Sequence, residues 1–268
     1  MNVLITGVGS GIGQAVAKCF ADSGHTVYGI DLTPTENTGC YRGFAADITD
    51  EASLLQVKKY LQEQGITLDA ILNIAGIHIM ASLVESDYAA MKKVVDVNLS
   101  GTMLVNRVFH DLLAGSGRVI IVTSEVAGFD PMPFNGLYNV TKTALDTYAQ
   151  ALRQELNLLG QKVVTIRPGA VETNLSAQSM KATQTLADTT VLYRKQARNF
   201  AGLAAKFMGR PMKAEALAAL VYKATTAKHP KLIYKKHQNM GLVLLNVLPK
   251  RLQCSVIQFL LRLNIHEA

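Results

Sequence analysis

The chain has 268 residues, of which 49% are hydrophobic, so it is long enough to bury the core of one α/β domain. Its three cysteines, Cys19, Cys40 and Cys254, are widely spaced and form no Cys-x-x-Cys pair, which argues against a disulfide framework or a zinc site and favours a reducing cytoplasm. The net charge of +7 is uneven, because residues 194–268 carry 14 Lys and Arg against two Glu. Such a basic region is compatible with a solvated face or with an anionic partner.

Short apolar runs alternate with longer amphipathic stretches along the first two thirds of the chain. This alternation predicts a doubly wound parallel sheet with helices on both faces, a three-layer α/β/α arrangement. The predicted strands lie near residues 2–6, 25–30, 41–45, 69–74, 117–123 and 162–167. The predicted helices lie near residues 12–23, 51–64, 86–113 and 138–159.

The regularity weakens after the sixth predicted strand. Residues 174–212 are polar and contain Thr and Met, and we expect an irregular stretch that is a candidate substrate lid, because it follows the carboxyl end of a strand. Its apolar members are compatible with a pocket lining or with ordinary helix packing. A helix near 213–227, a short strand near 232–234 and a C-terminal helix follow. No linker divides the chain, so we expect one domain over 1–268 with a basic amphipathic extension over 236–268.

Neither a secretion signal nor a membrane anchor is expected. The N-terminus lacks the basic start and long apolar stretch of a signal peptide. The most apolar segment, 241–263, is interrupted by polar residues and lacks the roughly 20-residue apolar length of a spanning helix.

A glycine-rich turn follows the first predicted strand directly and opens the first helix. Glycines in such a turn let the backbone approach a pyrophosphate, and the free amides at the helix N-terminus carry a positive partial charge. In this strand-turn-helix context the turn predicts binding of a dinucleotide phosphate rather than a merely flexible loop. The candidate cofactor-binding residues of this turn are Gly7, Gly9, Ser10, Gly11, Ile12 and Gly13.

The spacing Gly-x-x-x-Gly-x-Gly after a threonine resembles that of the short-chain dehydrogenase/reductase family. The resemblance implies a Rossmann-type single domain, a nicotinamide cofactor and an oxidoreductase that interconverts an alcohol and a ketone. The other family motifs follow in order as far as residue 173.

Asp31 ends the second predicted strand, 18 positions beyond Gly13. A carboxylate there can accept hydrogen bonds from the adenosine ribose and would repel a 2′-phosphate. Ser10 and Leu32 offer no charge to neutralise such a phosphate, and Arg42 is the nearest basic candidate. The pattern therefore predicts NAD rather than NADP.

Two segments after the third and fourth predicted strands resemble further family motifs. Asp47 and Ile48 resemble the pair that contacts adenine. Asn73-Ile74-Ala75-Gly76 resembles the Asn-Asn-Ala-Gly motif, with isoleucine in place of the second asparagine. The resemblance implies that Asn73, Ala75 and Gly76 pack the sheet and let the cofactor approach.

Tyr138 and Lys142 are four residues apart at the start of the fourth long predicted helix, hence on one helix face about one turn apart. A phenol with a pKa of about 10 is a poor base near neutral pH, and a nearby ammonium moves that pKa toward the useful range. In the family, the tyrosine transfers the proton, the lysine also binds the nicotinamide ribose, and an asparagine of the preceding helix connects the lysine to solvent. Asn98 matches that asparagine, so the resemblance implies that Asn98, Tyr138 and Lys142 are catalytic.

The family's carbonyl-polarising serine is displaced in this chain. Most members place it 13 residues before the tyrosine, where Glu125 stands here, whereas Ser124 has the 14-residue spacing that some members use. A glutamate at an exposed strand end would be ionised and unable to donate a hydrogen bond. We expect Ser124 to fill the role, and the alternative is a degenerate, weakly active site.

The segment after the sixth predicted strand resembles the family's Pro-Gly segment, whose backbone and threonine bind the nicotinamide carboxamide. The resemblance implies cofactor contacts from Pro168, Gly169, Val171 and Thr173. The six histidines show no metal-ligand spacing, so no metal is expected, and most of them are expected to be packing or surface residues. The alternative for His78 is an approach to the cofactor edge, because it follows Asn73-Ile74-Ala75-Gly76 closely.

The apolar members of the lid and the Leu-rich C-terminal helix favour a bulky hydrophobic substrate. Residues 229–234 and 248–252 resemble the tails of steroid and retinol dehydrogenases, which implies a steroid-like or long-chain secondary alcohol or ketone. One alternative is a 3-oxoacyl thioester reductase, because a basic region could receive an acidic carrier protein or a CoA phosphate. Another is a catalytically weak NAD-binding regulatory protein.

The basic tail leaves its partner open. Lys250, Arg251 and Arg262 with the leucines around them fit an amphipathic helix that covers the pocket, packs on another subunit or contacts a membrane peripherally. No nucleic-acid motif or aromatic stacking platform accompanies it. The family resemblance implies a homodimer or homotetramer built on the helices near 86–113 and 138–159.

Overall fold

The computed structural model describes residues 1–34, 39–207 and 210–262. Within these residues, seven parallel strands form one sheet, in the order β3-β2-β1-β4-β5-β6-β9. They are β1 (Asn2–Thr6), β2 (Thr26–Asp31), β3 (Arg42–Ala45), β4 (Leu68–Asn73), β5 (Leu113–Val122), β6 (Lys162–Pro168) and β9 (Ile233–Lys236). A separate parallel pair joins β7 (Val171–Glu172) to β8 (Met212–Lys213).

The direction of strand progression reverses at β1, which pairs with β2 on one side and with β4 on the other. Ligands of open α/β sheets bind at such a switch point, outside the carboxyl ends of the strands. Thr6, Asp31, Asn73 and Val122 end four neighbouring strands of the sheet. The topology therefore brings the predicted cofactor and catalytic motifs to one edge.

Helices cover both faces of the sheet. One face packs against α1 (Gly11–Asp22) and α8 (Ala214–Thr226). The other packs against α2 (Glu51–Glu63), α4 (Thr102–Phe109) and α5 (Gly136–Asn157). Fully buried side chains in these layers include Phe20, Leu54, Leu72, Phe109 and Leu217. The predicted Rossmann-type, three-layer fold is confirmed.

The helix predicted over 86–113 is interrupted. It consists of α3 (Tyr88–Val95), a π-helical turn from Asp96 to Gly101, α4, and a short 3₁₀ turn at His110–Leu112, after which β5 begins. A π-helical turn holds more residues than an α-helical one and changes the direction of its side chains, and such turns are frequent at functional sites. Asn98 lies inside this turn. The apolar pattern runs through it unchanged, so periodicity does not reveal it.

Residues 174–212 are not irregular, so that part of the prediction was wrong. They contain α6 (Asn174–Thr189) and α7 (Arg194–Phe207). A capping box begins α6, in which the Ser176 amide donates to Thr173 Oγ1 at 3.1 Å and the Thr173 amide donates to Ser176 Oγ at 3.0 Å. Capping and packing outweigh the modest helix propensity of Thr and Asn. Helices α6 and α7 contribute to an apolar cluster separate from the two faces of the sheet, which includes Phe134, Leu186, Ala197, Phe200 and Leu261.

The predicted C-terminal extension contains α9 (Met240–Val247) and α10 (Lys250–Arg262), and residues 263–268 lie outside the described part of the chain. α10 packs on α7, where Asn199 Nδ2 donates to the Leu261 carbonyl at 2.9 Å. Among the described residues, no helix is both long enough and apolar enough to cross a membrane.

Candidate functional site

The glycine turn joins β1 to α1 with almost no spare space. A Cβ on Gly13 would lie 1.9 Å from the Gly7 carbonyl oxygen, so only glycine lets α1 start this close to the strand. Gly7 itself has φ +80°, and a Cβ there would meet the Ala75 backbone at 2.9 Å. Ser10 precedes the first residue of α1 in extended conformation and makes no side-chain cap. The backbone of the turn is therefore the surface that a ligand would meet.

Asp31 is bonded to the glycine turn at the end of β2. Its carboxylate accepts from the Gly9 amide at 2.9 Å and from the Thr33 amide at 3.1 Å. Asp31 at the end of β2 pairs with Ala45 at the end of β3. Arg42 is the first residue of β3, three residues before Ala45, and therefore lies about 10 Å from Asp31 along the strand direction. The Arg42 guanidinium lies over the Tyr60 ring, 4.2 Å from its centroid. The basic candidate for a 2′-phosphate is thus held away from Asp31.

The adenine-side motif is fixed by its own hydrogen bonds. Asp47 Oδ1 accepts from the Thr49 amide at 2.8 Å and from the Thr49 hydroxyl at 2.7 Å. Ile48 is buried, and its side chain lies 3.0 Å from the position that a Cβ on Gly101 would occupy. The π-helical turn that ends at Gly101 therefore packs directly on this motif.

The segment after β4 lies between the glycine turn and the predicted catalytic groups. Thr6 Oγ1 accepts from the amides of Ile74 and Ala75, at 3.1 and 3.2 Å. Asn73 is buried and donates to Asn106 Oδ1 at 2.8 Å. The amide pair thus joins β4 to α4 and anchors the base of the site.

Gly76 faces the predicted catalytic groups. A Cβ on Gly76 would lie 3.1 Å from Asn98 Oδ1 and 3.5 Å from Lys142 Nζ. The Asn98 side chain hydrogen-bonds both backbone polar groups of Ile77. Its Oδ1 accepts from the Ile77 amide at 2.8 Å, and its Nδ2 donates to the Ile77 carbonyl at 2.9 Å. Asn98 Nδ2 also donates to Thr141 Oγ1 at 3.1 Å, which ties the π-helical turn to α5.

Tyr138 and Lys142 lie one turn apart on α5. Lys142 Nζ is 5.7 Å from the centroid of the Tyr138 ring and donates to the Val122 carbonyl at 3.3 Å. Burial raises the pKa of Tyr138 to about 12, partly offset by a hydrogen bond with the Ser124 side chain. Burial also lowers the pKa of Lys142 to about 8. The downward shift expected for the pKa of the tyrosine is thus absent in the protein by itself, because desolvation outweighs the hydrogen bond with Ser124.

Ser124, rather than Glu125, provides the hydroxyl beside Tyr138. Ser124 begins the 3₁₀ turn that follows β5, and its Oγ accepts from the Val126 amide at 3.4 Å. The side chain of Glu125 instead contacts the C-terminal part of the chain, where its Oε2 accepts from the Asn239 amide nitrogen at 2.6 Å. Only 8% of Glu125 is exposed, so the expectation of an exposed strand end was wrong, and burial raises the pKa of its carboxyl.

The segment after β6 closes the far side of the glycine turn. The C-terminal chain passes directly over Gly169, which follows Pro168. A Cβ on Gly169 would lie 1.8 Å from the His237 carbonyl oxygen, so only glycine allows this approach. Val171 pairs with Met212 in the small sheet. The side chain of Thr173 lies 3.1 Å from where a Cβ on Gly11 would be, against the glycine turn.

A cleft of about 720 Å³ runs along the glycine turn. Its lining includes Gly9, Ser10, Gly11, Glu172 and Thr173. Another cleft, of about 1040 Å³, opens over β2 and β3 and contains none of the predicted site residues. Within the described residues, no group of three or more His, Cys, Asp or Glu side chains is arranged to hold a metal ion.

His78, for which packing was the favoured expectation and an approach to the cofactor the alternative, lies beside Tyr138. Its ring meets the Tyr138 ring edge-on, with centroids 4.5 Å apart. Nε2 pairs with Asn135 Oδ1 at 2.8 Å, whereas the buried Nδ1 has no hydrogen-bond partner among the described residues. Burial lowers the pKa of this imidazole. The one available signal was its position two residues after Gly76.

Comparison with known proteins gives sequence relatives over about two thirds of the chain. A short-chain dehydrogenase of Hypocrea virens is 34% identical over 182 residues, which cover 64% of this chain and 62% of the relative. An NADPH-dependent 1-acyldihydroxyacetone phosphate reductase of Schizosaccharomyces pombe is 31% identical over 185 residues, covering 66% of this chain and 62% of the relative. The chain thus matches just over three fifths of the length of these relatives.

Solved structures match over a longer span. A short chain dehydrogenase family protein of Francisella tularensis superposes with a TM-score of 0.73 at 23% identity, covering 87% of this chain and 96% of the other. A 3-ketoacyl-(acyl-carrier-protein) reductase of Brucella melitensis, complexed with NADH, has a TM-score of 0.69 at 25% identity, covering 87% and 95%. The sequence profile of the short chain dehydrogenase family matches residues 1–184. The chain therefore belongs to the short-chain dehydrogenase family.

Proposed function

We propose that the protein is an NAD(H)-dependent oxidoreductase that interconverts a secondary alcohol and a ketone. The observation that carries this proposal is the meeting of Ser124, Tyr138 and Lys142 beside Gly76, with Asn98 behind them. A hydroxyl donor, a proton-transferring phenol and an ammonium in one place are the groups that carbonyl reduction needs.

The glycine turn fits a dinucleotide. Gly7 and Gly13 leave no room for side chains, so the backbone amides at the start of α1 face the ligand. Thr173 borders the same cleft, and Gly76 leaves space next to Lys142. We propose that the glycine turn would hold the pyrophosphate, and that Lys142 and Thr173 would hold the nicotinamide half.

The preference for NAD rests on Asp31. A carboxylate fixed by two backbone amides would accept bonds from ribose hydroxyls and repel a phosphate. Arg42 is engaged with Tyr60 at the other end of β3. One relative is named as NADPH-dependent and one similar structure contains NADH, so family membership alone leaves the choice open.

In the proposed oxidation, Ser124 and Tyr138 both contact the substrate hydroxyl. The phenolate of Tyr138 takes the hydroxyl proton while the carbinol hydrogen leaves with its electron pair, and a ketone results. When bound, NAD supplies the hydride acceptor. In the protein by itself burial raises the pKa of Tyr138, so the proposal requires the phenolate to be stabilised in the complex with cofactor and substrate, where protonated Lys142, with a pKa of about 8, would supply the positive charge. Reduction reverses each step.

We propose a bulky hydrophobic substrate, steroid-like or long-chain. Support comes from the apolar cluster in which Phe134 meets Leu186 and Phe200 of the lid helices. The similarity to an acyldihydroxyacetone phosphate reductase is in keeping with a long-chain substrate. A 3-oxoacyl thioester is the second candidate, favoured by the structural likeness to the 3-ketoacyl reductase.

We also propose a homo-oligomer that forms through α4 and α5. Met103 on α4 and Val140 on α5 are exposed apolar side chains, with exposed fractions of 43% and 56%. Their removal from water would favour association.

The test is a panel of steroid, long-chain and acyl thioester substrates, assayed with NAD and with NADP. We expect turnover with NAD, and Tyr138→Phe should reduce kcat at least about 100-fold while NADH binding persists, because only the proton-transferring hydroxyl is lost. Tyr148→Phe, on the same helix, is the matched control. Unimpaired turnover by Tyr138→Phe would refute the mechanism, and tight NADH binding without turnover of any substrate would favour a regulatory role.

A further inference from the structure

Helix α9 is mostly apolar, and one of its faces is left exposed by the fold while Leu242, Val243 and Leu245 are half-buried. Its eight residues, MGLVLLNV, include no buried residue. Met240 is 73% exposed, Leu244 71% and Val247 77%. Isolated exposed leucines are ordinary, but Met240, Leu244 and Val247 are four and three residues apart and so share one face of the helix, and an exposed apolar face of this kind marks an interaction surface.

Helix α10 extends this apolar surface. It packs on the lid through the side that carries Gln253 and Leu261, the two residues of the helix that are buried. Leu252 and Phe259 are seven residues apart, hence on one stripe of the helix, and they remain 48% and 64% exposed. We call α9 together with Leu252 and Phe259 the docking surface.

The chain segment that forms the docking surface carries charges of one sign, whereas Asp130 and the buried Glu125 contact it from another segment. Residues 228–262 contain seven Lys and Arg and no Asp or Glu. Lys231 and Lys235 are exposed just before α9, and Arg251 is exposed just after it. Lys250 is paired with Asp130 at 3.1 Å. An apolar surface flanked by cations is complementary to a lipid membrane, which has an apolar interior and, where it contains anionic lipids, a negatively charged surface.

We propose that the docking surface binds an anionic lipid membrane peripherally. At about 1.5 Å per residue, α9 is roughly 12 Å long, which suits a helix lying in the headgroup boundary and is far too short to span. A second copy of the chain is the less suitable occupant. A symmetric contact would place the same cations opposite each other.

The docking surface is attached directly to the loop that carries Ser124. Glu125 Oε2 accepts from the Asn239 amide at the start of α9, and Asn246 Oδ1 accepts from the Asp130 amide at 2.7 Å. Membrane contact would therefore bring the proposed active site to the lipid surface. The consequence that a hydrophobic substrate enters from the membrane rests on the proposed function, whereas the docking itself does not.

Flotation of the full chain with lipid vesicles tests the proposal. We expect binding to vesicles of phosphatidylcholine mixed with phosphatidylserine, weak binding to phosphatidylcholine alone, and loss of binding at high salt. The double variant Leu244→Glu/Val247→Glu should bind at least about 10-fold more weakly, because it places two carboxylates in the apolar layer. Arg251→Gln should cost about fivefold, the contribution of one cation near the surface.

Leu158→Glu is the matched control. Leu158 is 85% exposed at the end of α5, near the start of β6 and hence at the opposite edge of the sheet from the proposed site. This variant should float like the unchanged protein. NADH binding by the Leu244→Glu/Val247→Glu variant should be unaffected, which separates failure of docking from failure of the proposed function.

Two results would overturn the proposal. One is equal flotation of the double variant and the unchanged chain. The other is no flotation of the unchanged chain with the phosphatidylserine vesicles; a dimer in sedimentation velocity that the double variant dissociates would then identify a second copy as the occupant.

Discussion

The region around the glycine turn, within residues 1–184, and the C-terminal extension differ in how their side chains are packed. Around the turn, polar groups such as Asp31, Asn98 and Thr6 are fixed by short hydrogen bonds, and glycines are placed where no other residue fits. In α9, apolar side chains are left exposed. The family profile covers the first region and ends at residue 184, before the second begins. Hydrogen bonds and close backbone packing fix the positions of atoms, whereas exposed apolar side chains are left free to meet another surface.

The largest expected effect breaks the tight packing of the first region. Gly13→Ala would place a Cβ 1.9 Å from the Gly7 carbonyl, so α1 must move away from β1. We expect NADH binding to be lost and the free energy of unfolding to fall by about 3 kcal/mol, as overpacking does. Calorimetry and urea unfolding measure both.

Gly115→Ala is the control for this change. A Cβ on Gly115 would meet no heavy atom within 4 Å. Its effect on the free energy of unfolding should stay within about 0.5 kcal/mol. Equal effects of the two variants would contradict the role given to Gly13.

The next effect separates Ser124 from its neighbour Glu125, at the place where the two regions meet. Ser124→Ala should reduce kcat about 100-fold, because the substrate oxygen loses a hydrogen-bond donor. Glu125→Gln should leave most of the activity, since Glu125 contacts the C-terminal chain instead. Steady-state kinetics measure kcat for both variants. A comparable loss of kcat in Ser124→Ala and Glu125→Gln would contradict the role given to Ser124 and favour the alternative of a degenerate, weakly active site.

A smaller effect concerns the cofactor. Asp31→Asn keeps an oxygen that can accept from the Gly9 amide but removes the negative charge. The ratio of kcat/KM for NAD over NADP should fall at least about 10-fold, or about 1.4 kcal/mol. Asp111→Asn, which removes an equal charge near the start of β5, should leave the ratio unchanged. An unchanged ratio in both variants would remove the basis for choosing NAD.

The smallest effect tests the contact between the two regions. Because burial raises the pKa of Glu125 above its usual 4.5, the folded chain binds more protons there than the unfolded chain does. The free energy of unfolding should therefore fall as pH rises from about 4.5 and should level off above the raised pKa, where the carboxyl is ionised in both states.

Glu125→Gln should abolish this part of the pH dependence, and urea unfolding at several pH values measures it. Glu155→Gln, an exposed position on α5, is the control and should retain the slope. A slope that persists in Glu125→Gln would mean that another group titrates.

Sequence alone determined the features that depend on local spacing. The glycine turn after a strand, Asp31 at a strand end and Tyr138 four residues before Lys142 are readable because helices and strands have fixed periods. The parallel direction of the strands followed from their alternation with helices, since parallel strands need long crossovers.

Only the tertiary structure decided which neighbours meet. The π-helical turn around Asn98, the ring of His78 against Tyr138 and the burial of Glu125 beneath Asn239 arise from contacts between segments far apart in the chain. The same holds for the lid helices and for the exposed side of α9. Burial and desolvation are properties of the packed chain, and spacing along the sequence carries no record of them.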